Sequence, residues 1–157
     1  MIFYDFEVFE KDWLVVMISV DLDKKTQKEY IICNNEEELK TFYENNKNDI
    51  WIGYNSKNYD QYILKGILCG FNPKEISDYI IVKGKHGWEF SHLLSKIQVI
   101  NYDIIELNDG GLKFLEASMG NDIKETSVPF NIKRKLTDEE IEETKKYCEH
   151  DVKQTIE

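Results

Sequence analysis

The first nine positions are apolar except at Asp5 and Glu7. A strand there carries Ile2, Tyr4, Phe6 and Val8 on one face and Phe3, Asp5, Glu7 and Phe9 on the other. A strand apolar on both faces belongs in the middle of a covered sheet. Asp5 and Glu7 are out of place in such a strand, because leaving buried anions unpaired costs several kcal/mol each. A cation between them is expected.

The pattern continues as strands over 12–20 and 29–33, separated by a polar turn over 21–26, which makes an antiparallel meander with the first. Asn34 or Asn35 can cap a helix over 36–46 whose inner face is Leu39, Phe42 and Tyr43. A fourth strand over 49–54 leads into a helix over 58–69 that stops at Gly70. Pro73 opens a further helix to Val82, and 83–87 is a glycine-punctuated turn. The stretch 90–96 fits no one element, 98–105 reads as a fifth strand and 112–119 as a short amphipathic helix. Residues 121–134 read as loop. Thr137 and Glu140 have the spacing of a capping box for a helix that still runs at Glu157. A meander followed by strand–helix alternation predicts an α/β fold: a mixed sheet, antiparallel then parallel, with helices on both faces. The acidic helix without a stop signal suggests a domain cut from a longer protein.

Composition narrows the class. A chain of 157 residues is expected to form a single domain with a real core. No apolar run approaches the roughly 20 residues of a membrane span, and no signal peptide is legible, so no membrane partner is expected. Cys33, Cys69 and Cys148 are scattered and form no C-x-x-C, which fits reduced thiols in a cytosolic protein, better than disulfides or zinc, and cysteines that fill core. A net charge of −10 argues against a general nucleic-acid coat. It leaves room for an enzyme that meets nucleic acid through metals and a few placed groups, with weak and salt-sensitive binding.

Three stretches supply carboxylates where a covered sheet wants apolar residues. They are Asp5-Phe6-Glu7; Asn55 to Asp60, with Asp60 in the first turn of a helix after a strand end; and Tyr147 to Asp151, spaced i, i+4 on the last helix. Together they resemble the proofreading 3′–5′ exonuclease domains of the four-acid (DEDD) superfamily. They look closest to those of family B DNA polymerases in the protein-primed phage branch. The motifs D-x-E, N-x2–3-[FY]-D and Y-x3-D occur here in order, and 112–134 leading into a capped helix also looks like that branch.

The resemblance implies a ribonuclease H-like domain that hydrolyses single-stranded DNA from its 3′ end with two Mg²⁺ or Mn²⁺ ions, beside a polymerase domain or polymerase partner. Asp5 would bridge the ions, Glu7 and Asp151 would complete the site of the water-activating metal, and Asp60 would act through the outer shell of the second. Tyr147 would orient the attacking water, and Asn55 and Tyr59 would hold the 3′ end. Two ions suit the chemistry, since phosphodiester cleavage needs an activated nucleophile and stabilisation of the departing oxygen. Oxygen ligands favour Mg²⁺ or Mn²⁺ over zinc. Four acids in one cleft should raise some pKa values until metal displaces the protons.

The sister subclass has histidine five residues before its last aspartate; Lys146 stands there, so the tyrosine subclass fits better. His150 points off by about a third of a helical turn. Lys113 corresponds to a lysine of the protein-primed branch, although Glu116 replaces the apolar residue expected after it; a solvated lysine is the simpler reading. Lys83, Lys85 and the 133–135 basic run could touch phosphates, although loop lysines are usually just solvated, and Asp103 is expected to be structural before it is an outer-shell acid. Two other functions fit the acids: an endonuclease or resolvase on the same fold, or a non-catalytic module of a replication complex.

Overall fold

The computed structural model describes residues 1–104 and 132–156. Five strands, β1 (Ile2–Val8), β2 (Trp13–Asp21), β3 (Thr26–Cys33), β4 (Ile50–Gly53) and β5 (Ile100–Asp103), form one sheet in the order β3-β2-β1-β4-β5. β3, β2 and β1 pair antiparallel, whereas β1, β4 and β5 pair parallel. The expected helix over 112–119, with Lys113, and most of the expected loop over 121–134 lie outside the described residues.

β1 is the central strand, as its two-faced apolarity requires. Ile2, Tyr4, Phe6 and Val8 pack in one core with the inner sides of α1 (Glu36–Asn46), α2 (Asp60–Leu68) and α3 (Pro73–Ile81). Leu39, Ile63, Leu64 and Ile67 are at most 1% exposed there, each worth roughly 1.5–3 kcal/mol of apolar burial. Phe3 faces the other way, in a second core with Leu14, Val16 and Ile52 and with Cys148 and Val152 of α4 (Asp138–Ile156). Phe9 joins Leu136 in a third cluster on that side. Helices therefore cover both faces, and Asp5 and Glu7 lie under α4.

The helix signals act as their chemistry predicts. Asn35 caps α1 by accepting the Glu38 amide at 3.0 Å, and Gly70 takes a φ of +89° after α2. At α4 the capping box closes in both directions: Thr137 N–H donates to Glu140 Oε1 at 2.9 Å, and Glu140 N–H donates to Thr137 Oγ1 at 3.2 Å. The ambiguous 90–96 stretch holds a short 3-10 turn, His92–Lys96. β5 is shorter than expected, four residues from Ile100. No helix among the described residues is long and apolar enough to cross a membrane.

Candidate active site

The site begins where β1 and β4 part. Their register runs only through Ile2↔Trp51 and Phe3↔Ile52. Farther along β1, the Phe6 amide donates to Asp60 Oδ1 at 3.0 Å. Asp60, first residue of α2 and 3% exposed, is thereby tied to the backbone midway between Asp5 and Glu7.

The turn that delivers Asp60 is held from several sides. Gly53 ends β4 in such close quarters that an added Cβ would lie 2.8 Å from Ser56 Cβ and 3.1 Å from the Tyr4 carbonyl oxygen. Asn55 adopts a left-handed φ of +58°, which asparagine tolerates. Asp103, 4% exposed at the end of β5, accepts the amides of Asn55 and Lys57 at 2.8 and 2.9 Å through its two oxygens. Tyr4 Oη donates to Asn101 Oδ1 at 2.7 Å, and Asn101 donates to Ser56 Oγ at 3.1 Å. Asp103 thus has the structural role expected of it.

α4 closes the other side. Asp12, 4% exposed after β1, accepts the Leu136 amide at 2.8 Å and pins the approach to the helix. Lys135 stands 3.8 Å from the same carboxylate, and Arg134 pairs with Glu140 at 2.7 Å, so two of the three residues of the basic run serve the start of α4. Midway along, the Cys148 thiol donates to the Asp5 carbonyl at 3.2 Å and to Asp5 Oδ2 at 3.3 Å. Asp151 lies one turn on, 7% exposed. Tyr147 and His150 are half-buried on the same helix, and Lys146 is exposed.

Ligand atoms of Asp5, Glu7 and Cys148 lie within 4.8 Å of one another. Asp60 and Asp151 stand close enough to act on Asp5 through their charge. Burial raises the Asp5 carboxyl well above the usual carboxylate range, and Asp60, Glu7 and Asp151 push it further; the Cys148 bond opposes them. All three neighbouring charges share its sign. Asp60 is raised to about 7 by burial, with Asp103 adding to the rise and the Phe6 amide working against it. Burial and the Asp5 and Glu7 charges also keep the Cys148 thiol protonated. Core filling is therefore only half of the role of this cysteine: Cys148 is in the core and touches the acid cluster. Its sequence signal is its place three residues before Asp151.

Beside Glu7 runs a groove of about 380 Å³, walled by Tyr59, Lys74, Ser77, Ile81 and Val82. Tyr59 is half-buried and its hydroxyl shares a 2.8 Å hydrogen bond with Ser77. Asn55 is exposed in the turn ahead of α2. Of the expected site residues, Asp5 and Glu7 lie together, Asp60 and Asp151 act on Asp5 through their charge, Tyr59 lines the groove beside Glu7, and Asn55 is in the exposed turn.

A cluster of carboxylates of like charge, with Glu7 at the edge of the groove, suits a hard divalent cation. Compared with family models, curated proteins and solved structures, the chain matches none.

Proposed function

We propose that this chain is a metal-dependent 3′–5′ exonuclease that releases nucleoside monophosphates from single-stranded DNA ends, on a ribonuclease H-like sheet, and that it serves a polymerase as its proofreading module. The observation that carries the reading is the Phe6–Asp60 bond, which draws a third carboxylate to the Asp5/Glu7 pair. The meander joined to parallel strands supports it from the side of the fold.

Asp5, Glu7, Asp60 and Asp151 are the groups that would hold two Mg²⁺ or Mn²⁺ ions. When bound, such ions activate a water nucleophile at neutral pH and stabilise charge on the departing 3′-oxygen. The chain's own groups do the rest. The Phe6 amide and Asp103 keep Asp60 in place, and Cys148 steadies Asp5 by donating a hydrogen bond. Tyr147 offers a hydroxyl to orient the attacking water. The apolar groove receives the terminal nucleotide, with Tyr59 against the base and Asn55 near the strand.

A 5′-labelled single strand incubated with Mn²⁺ tests the reading. A ladder descending from the 3′ end is expected, and Asp5→Ala should slow it by orders of magnitude. Internal cuts would identify an endonuclease instead. Tight binding to a polymerase without any cleavage would point to a structural module.

A further inference from the structure

We propose that the loop over 83–88 is a stacking platform for the single-stranded nucleic acid lying upstream of the scissile nucleotide, an inference that rests on the exonuclease reading. The groove beside Glu7 ends at Ile81 and Val82, which are 66% and 74% exposed. From Val82 the chain passes directly into Lys83, Gly84, Lys85, His86, Gly87 and Trp88. Gly87 then settles against Tyr62, where any Cβ would collide with the ring. Tyr62 is in the first turn of α2, two residues beyond Asp60. The loop therefore runs from the rim of the groove to the turn that carries a candidate metal ligand.

Its exposed chemistry suits an unpaired strand. The His86 and Trp88 rings stack face to face, centroids 4.1 Å apart and 6° from parallel, while Trp88 leaves 56% of its surface to solvent. A flat aromatic surface accepts any base, because every base has a π-face. Lys83 and Lys85 are exposed in the same loop, and Lys65 lies 5.4 Å over the Tyr62 ring; Glu89 is the acid that comes next. In a chain of net charge −10, this is a local positive segment that a phosphate backbone can approach.

The platform is also held in place. The Lys83 and Lys85 amides donate to the Asp78 and Tyr79 carbonyls at 3.0 and 3.1 Å, and Phe90 packs edge-on against Phe71 and Tyr79. Gly84 makes the turn at a φ of +65°. A loop already ordered loses little entropy when it binds. The lysines and the continuity with the acid cluster favour nucleic acid over an apolar protein partner.

Trp13 and Trp51 are 6% and 0% exposed, so solvent-exposed tryptophan emission reports Trp88. Titrating the full chain with oligothymidylate in EDTA at low salt should quench that emission saturably, and Trp88→Ala should remove the quenching. With Mn²⁺, Trp88→Ala should raise KM for a long oligonucleotide roughly 10-fold, leaving kcat and the turnover of a trinucleotide unchanged; Trp88→Phe should restore KM. Emission that stays unquenched, with KM independent of length, would overturn the platform even if the chain cleaves DNA. Quenching without cleavage would keep a nucleic-acid platform and overturn the exonuclease reading.

Discussion

The Phe6 amide donates to the Asp60 carboxylate at 3.0 Å across 54 residues of chain. That bond replaces the partner β1 loses when β4 diverges after Phe3↔Ile52. A gap opened in the sheet is thus filled by an acid, and it is filled midway between two others. Burial then raises the Asp60 carboxyl until it titrates at about 7.

Stability should depend on pH and metal together. Unfolded aspartate titrates near pH 4, whereas Asp60 in the fold titrates at about 7. The fold binds the proton more tightly, so this contribution is complete below about pH 4 and is lost as pH rises through 7. Asp5 is shifted in the same direction. In EDTA, the melting temperature should fall between pH 5 and 8, and Asp60→Asn should flatten that fall while abolishing cleavage. Added Mn²⁺ should raise the melting temperature more at pH 8 than at pH 5.

Asp103→Ala should leave the Asn55 and Lys57 amides without their shared acceptor. Hydrogen bonds to charged groups are worth about 1.5–3 kcal/mol, so urea unfolding should show a loss of about 3 kcal/mol. Activity should fall further than stability explains, since the turn presents Asp60. Asp103→Asn, which keeps one acceptor oxygen, should recover part of both.

Gly53→Ala places a methyl group 2.8 Å from Ser56 Cβ. The neighbours are a short side chain and backbone, so the turn itself must shift, at a cost of about 1–3 kcal/mol. Measured on a short single strand, kcat should drop and KM should rise, because the shifted turn carries Asn55 and leads into Tyr59 and Asp60.

Tyr147→Phe should slow hydrolysis while leaving Mn²⁺ affinity, read by calorimetry, close to that of the unaltered chain. A large loss of metal affinity would contradict a water-orienting hydroxyl.

Much of the fold is legible in local pattern. Alternation alone puts Asp5 and Glu7 on the Phe3 side of a central strand, and Thr137 with Glu140 announces α4. Asn35 and Gly70 mark ends that the fold respects. Contacts between distant segments stay hidden. Nothing near Asp103 says that it will collect two amides from a turn 48 and 46 residues earlier, and Asp12 reaches 124 residues ahead to Leu136. Cys148 looks like filler in the sequence because a thiol serves a core and a carboxylate equally well; only the docking of α4 on β1 decides that it does both.

The proposed four-acid metal site is tested most directly by manganese anomalous scattering from crystals of the chain grown with Mn²⁺. Two manganese peaks are expected among the carboxylates of Asp5, Glu7, Asp60 and Asp151, both lost in Asp5→Ala. Manganese bound only elsewhere on the surface, or none at all beside these residues, would contradict the site.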